Sequence, residues 1–265
     1  MADSAMTAHG DGDTMQLQSD VMRLLDETQI DAKKQIALVF TIPTATSRSM
    51  NPQVAAATHY DEKYFDWQNS GARIGAQANL YNFSPHIRSE DRVIDFGCGA
   101  GHLLSLIKCA EKIGVEINPA ARAFATKSGI QTVESLDDIE DNWADTIISN
   151  HALEHCPDPQ SVVSAMYRKL KVGGKVVLAV PHERYVPYSA NDINKHLYTW
   201  SAMNLGNLFS VCGFNVLDVR EVYHRFPPAY TSIHKIFGRK LFHAIASLYG
   251  RMSRAVTQVK IVASK

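Results

Sequence analysis

From Arg92 to the end of the chain, short apolar runs alternate with longer mixed stretches. RVIDF, KIGVEI, IQTV, DTIISN and KVVLAV each have strand length, and the segments between them are long enough for helices. That alternation predicts βαβ units and a parallel sheet. Two further runs, FNVLDVREV and TQVKIVASK, bring the expected strands to seven. Between those two, Ile233, Ile236, Phe237, Leu241, Ile245, Leu248 and Tyr249 form a helical stripe opposite His234, Lys235, Arg239 and Lys240. Upstream, Tyr60 to Phe83 mixes aromatics, alanines and polar residues at helical spacing, which suits helices over the mouth of a site. Gln16 to Phe40 carries apolar positions for one or two short helices, and TIPTATSRSMNP reads as a linker. The expected organisation is an extension and linker over 1–53 and an α/β domain over 54–265. Within that domain, 54–90 form a helical cap and 226–255 a helical insertion before the last strand.

Composition narrows the class. Lys plus Arg equals Asp plus Glu at 27 each, so no overall field recruits nucleic acid or an acidic membrane. The four cysteines, Cys98, Cys109, Cys156 and Cys212, form no CxxC pair and suggest neither a zinc framework nor a disulfide scaffold. They read as reduced thiols of a cytoplasmic protein. No stretch has the roughly 18 unbroken apolar residues of a spanning helix, and the first residues lack the basic and apolar regions of an export signal. The acidic run from Glu134 to Asp145 lacks the spacing of a calcium loop, so no metal ligands are expected.

The most informative stretch is Val93-Ile94-Asp95-Phe96-Gly97-Cys98-Gly99-Ala100-Gly101-His102, a strand running into a glycine turn and then a helix. Such a turn brings backbone close to a ligand, and the helix start offers unpaired N–H groups. A dinucleotide fingerprint would place a third glycine where His102 stands, and Asp95 would oppose a pyrophosphate. Asp95 is better matched to a cationic amino group. Glu116, about twenty residues on at the end of the next run, stands where a carboxylate accepts from ribose hydroxyls.

With Asp95, the Gly97/Gly99/Gly101 series and Glu116 in order, the sequence resembles the class I, Rossmann-like S-adenosylmethionine-dependent methyltransferases. Asp145 to Asn150, His151-Ala152-Leu153-Glu154-His155-Cys156-Pro157-Asp158-Pro159, Leu170 to Leu178, and His196 to Phe214 extend the resemblance. It implies a three-layer, seven-stranded Rossmann-like sheet with an antiparallel last strand, and S-adenosylmethionine across the carboxyl ends of strands one, two and four. It further implies that Asp95, Gly97, Cys98, Gly99 and Gly101 hold the methionine portion, Glu116 the ribose, and Ile117 an adenine face. Asn150 and His151 would then lie near the transferred methyl. The family's acid beside the adenine amine has no clear counterpart in Glu134-Ser135-Leu136-Asp137-Asp138.

Methyl transfer from a sulfonium is an in-line displacement. Orientation contributes roughly 7–11 kcal/mol and a general base about 3–5 kcal/mol. His151 is the first candidate for that base and His196 the second, since a pKa near 6.5 suits proton removal at neutral pH. The run PHERYVPYSANDINKHLYTW suits recognition of a small polar acceptor. The function expected is methyl transfer at O or N of a saccharide, lipid precursor or specialised metabolite. The basic face around Lys235, Arg239 and Lys240 suggests docking of a lipid-linked or anionic acceptor. The alternatives are a non-catalytic methyltransferase-like binding module and an NAD-dependent oxidoreductase.

Overall fold

The computed structural model describes residues 73, 75–183, 187–192, 194–225, 227–228, 230–252 and 258–265. The helices expected over Gln16 to Phe40 and the start of the cap, 54–72, lie outside the described residues.

All seven expected strands are present: β1 (Arg92–Phe96), β2 (Glu111–Val115), β3 (Gln131–Val133), β4 (Ala144–Asn150), β5 (Leu170–Pro181), β6 (Asn215–Val222) and β7 (Gln258–Ser264). They form one sheet in the order β3-β2-β1-β4-β5-β7-β6. The first five run parallel, and β7 is antiparallel to both β5 and β6. β5 starts five residues earlier than the run KVVLAV, because Leu170 pairs with Ala144 across a register shift that precedes the pairing of Thr146 with Lys175.

Helices cover both faces: α1 (75–83), α2 (His102–Leu106), α3 (Pro119–Lys127), α4 (Pro159–Lys169), α5 (Ala202–Val211) and α6 (Tyr230–Met252). Alternate residues of each strand point to opposite faces. Ile94, Ile147, Val176 and Ile261 therefore pack with Met166 of α4 and Phe209 of α5. Val93, Ile148, Val177 and Val262 pack with Phe83 of α1 and Leu104 of α2. Burial on both faces explains why the central strands read as unbroken apolar runs. Helix starts are set by local chemistry: Asn118 and Asp158 accept from N–H groups of the first turns of α3 and α4, each followed by a proline at the first helical position.

The stripe expected on α6 is only in part its buried face: Ile233 packs against the buried cluster. Ile236, Leu241 and Leu248 are 72%, 46% and 60% exposed, whereas Phe242 and Ala246 are buried against Ala78 of α1. Gly238, at φ 70 and ψ 174, interrupts the helix, so the 3.6-residue phase does not carry across it. The side chains of His234, Lys235, Phe237, Arg239 and Lys240 lie outside the described residues. No helix among the described residues is long and apolar enough to cross a membrane.

The connections after β1 and β4 leave toward opposite faces, α2 on one and α4 on the other. Adjacent strands whose connections diverge open a crevice at their carboxyl ends, the usual ligand position in such sheets.

Candidate active site

The turn after β1 forms one wall of that crevice. At φ 73, Gly97 sits where a Cβ would come within 2.3 Å of the Ala152 Cβ, so the turn and the segment after β4 approach as only glycine allows. Gly101, at φ 76, faces Ala125 of α3 and Ile130, where an added Cβ would stand 3.2 Å from each, and it caps α2. Its place is in the packing behind the turn. Cys98 is buried, and burial, reinforced by Asp95 and Glu116, pushes its thiol far up.

Glu116, just past β2, is tied to the turn. Its Oε2 accepts from the Gly99 N–H at 2.9 Å and its Oε1 from the Asn118 N–H at 2.8 Å. Burial raises its pKa, and these backbone bonds oppose the rise. Asp95 is only 2% exposed, and burial together with the Glu116 charge pushes its carboxyl up to about 8. With the Glu116 charge opposing ionisation of Asp95, the turn is short of positive charge. A sulfonium or ammonium fits that deficit, and a pyrophosphate would deepen it.

A cavity of 1040 Å³ opens in front, bordered by Gly97, Gly99, Glu116, Ile117, Leu136 and His151, among others. Its volume suits a ligand of nucleoside size together with a small second molecule. Asp95, Cys98, Gly101 and Asn150 stand behind this lining, with Asn150 Oδ1 buried and, among the described residues, lacking a hydrogen-bond partner. After β3, Ser135 and Asp138 close a reciprocal capping box, Glu134 pairs with Arg122 at 2.9 Å, and Leu136 and Asp137 reach the rim.

The segment after β4 supplies imidazoles. His151 has φ 56, its N–H donates to the Ala179 carbonyl at 2.8 Å, and its Nε2 lies 2.8 Å from the side-chain nitrogen of Gln258 on β7. Its Nδ1 is 3.5 Å from Oε1 of Glu154. Glu154 is fully buried, and among the described residues neither carboxylate oxygen has a hydrogen-bond partner. His155 Nε2 and His196 Nε2 stand 4.0 and 3.9 Å from the same oxygen. His196 reaches it because the Leu197 N–H donates to the Glu154 carbonyl at 2.9 Å, folding the second segment back onto the first. Nδ1 of His196 is held by Glu183 at 2.8 Å. The sequence names His151 and His196, but Gln258 and Glu183 are brought in by strand pairing and chain reversal, for which it carries no local signal.

Residues 69–219 match the profile of a family described as a methyltransferase domain. The chain is 30% identical over 156 residues to the ubiquinone biosynthesis O-methyltransferase of Pseudomonas putida, covering 48% of this chain and 66% of that enzyme. The match thus spans just under two thirds of that relative. A SAM-dependent methyltransferase from Archaeoglobus fulgidus shares the fold with a TM-score of 0.57 at 22% identity, over 77% of this chain and 100% of that one. The geranyl diphosphate C-methyltransferase of Streptomyces coelicolor does so with a TM-score of 0.55 at 16% identity, over 82% and 99%.

Proposed function

The chain belongs to the family of class I S-adenosylmethionine-dependent methyltransferase domains, and on that premise we propose that it methylates a hydroxyl oxygen of a small-molecule acceptor. The observation that carries the donor site is the pair of acids at the glycine turn, buried Asp95 at the end of β1 and Glu116 bonded to the Gly99 N–H, which fits a cationic sulfonium donor with an ammonium group. The name of the O-methyltransferase relative supports oxygen as the acceptor atom. We assign the catalytic domain to 54–265, with 1–53 as an extension.

Bound in the cavity, S-adenosylmethionine supplies an activated methyl group. Asp95, directly behind the lining, would take the ammonium, Glu116 the ribose hydroxyls and Ile117 one face of the adenine. Gly97 and Gly99 let the backbone line the methionine portion. His151 is the proton acceptor: with Nδ1 turned to Glu154, its Nε2 takes the acceptor's hydroxyl proton once the Gln258 amide gives way. S-adenosylmethionine would supply the methyl group to the acceptor oxygen and leave as S-adenosylhomocysteine, and the hydroxyl proton would rest on His151.

Calorimetric titration with S-adenosylhomocysteine and with NAD tests the donor site. Micromolar binding of the first, weakened at least tenfold in Asp95→Ala and in Glu116→Ala, with NAD silent, is the expected result. Binding of NAD alone would sink the reading.

A further inference from the structure

Glu154 has no role as a proton donor or acceptor to solvent, being fully buried, and yet among the described residues no hydrogen bond satisfies it. A buried carboxylate needs donors or a cation. The three imidazoles around it stand at 3.5, 4.0 and 3.9 Å, at or beyond the limit of a hydrogen bond. We propose that Glu154, His155 and His196 form a divalent-cation site in the wall of the cavity, with Glu183 fixing His196 from behind.

The donor chemistry carries the proposal. Glu183 accepts from His196 Nδ1 at 2.8 Å, so in the neutral ring the lone pair of Nε2 faces Glu154. Two acceptors then face each other at 3.9 Å. A cation reconciles them, and a carboxylate behind the distal nitrogen is the recurrent support of a metal-bound histidine. One ligand atom from each of Glu154, His155 and His196 lies within 4.8 Å of the others, and among the described residues no other group of three side chains meets that condition. Metal–ligand bonds of about 2.0–2.2 Å require these atoms to close by roughly 1 Å, within reach of side-chain rotation. Two imidazoles and one carboxylate select a first-row transition cation such as zinc or manganese over calcium or magnesium. Three protein ligands leave a position open. Because His155 borders the cavity, that position faces the acceptor, and a bound hydroxyl there would be acidified next to His151. This last step rests on the O-methylation reading.

The test uses the untagged full chain, stripped with a chelator and titrated with cobalt(II) by visible absorption and with zinc(II) by calorimetry. The proposal expects one saturable site per chain. His196→Ala should weaken it at least a hundredfold and Glu183→Gln by 10- to 100-fold, while both variants bind S-adenosylhomocysteine as the wild type does and so are shown to be folded. Failure of the wild type to bind either cation overturns the proposal, as does an affinity unchanged in His196→Ala. Cation binding without S-adenosylhomocysteine binding would leave the metal site standing and remove the methyltransferase reading alone.

Discussion

Asp95 is a carboxyl group that folding makes hard to ionise. Its ordinary value of 3.8 rises to about 8 on burial beside Glu116. The folded chain therefore keeps a proton that the unfolded chain releases. The sign follows from linkage: this group's contribution to stability is fully present below 3.8 and declines as pH rises, until it is lost above about 8. Denaturation of the ligand-free protein between pH 5 and pH 9 should show a falling component that Asp95→Asn removes; an identical pH profile in that variant would contradict the assignment. Binding reverses the preference, because an ammonium beside Asp95 favours the carboxylate. At pH 7, S-adenosylhomocysteine should release a proton on binding, so its calorimetric heat should vary with the ionisation enthalpy of the buffer in the wild type and not in Asp95→Asn. His151 belongs at the same scale. His151→Gln should lower kcat by about 10²- to 10⁴-fold with binding of S-adenosylhomocysteine unchanged, and equal loss in both would mark the residue as a wall of the pocket only.

At the scale of elements, the turn after β1 and the segment after β4 approach closely at Gly97 and Ala152. Gly97→Ala places a side chain at φ 73, which costs about 1–2 kcal/mol, and drives its Cβ into Ala152. Adding Ala152→Gly removes the collision and leaves the backbone penalty. The double variant should therefore recover part of the stability lost by the single one, a coupling that equilibrium unfolding of the full cycle measures. The strictly additive result would mean that the two elements do not bear on each other. What was legible in the sequence follows the same division. The seven strands were, because a strand buried on both faces needs an apolar run that nothing else in a short segment explains. The turn and Glu116 were, because their spacing is local. The buried face of α6 was not, since Gly238 resets the helical phase and a periodic pattern read through it joins two registers. Nor was the cluster at Glu154. Its members come from the segment after β4, from β7, and from Glu183 and His196, and the pairing of Gln258 with Pro181 and the reversal at Leu197 bring them together.

For the whole molecule, the sheet order makes one cavity the meeting point of otherwise separate parts. The ends of β1 and β2, the turn after β3, the segment after β4 and residues of α4 all border it. A ligand that fills it joins both helical layers, because α2 and α3 follow β1 and β2 on one face while α4 follows β4 on the other. Stabilisation should therefore be global. At a hundredfold excess over its dissociation constant, S-adenosylhomocysteine should add about 2.7 kcal/mol, which for a domain of this size corresponds to a rise in Tm of roughly 5–10 °C. Differential scanning calorimetry should show one transition moving upward as a unit, with NAD at the same concentration leaving it in place. Hydrogen exchange provides the spatial check: protection should increase at the Gly97–Gly99 turn, after β3 and after β4 together. If protection rose only at the turn after β1, the ligand would be held by that loop alone. The cavity would then be a neighbour of the binding site, and the imidazoles around Glu154 would lie too far from the bound donor to act on its methyl group.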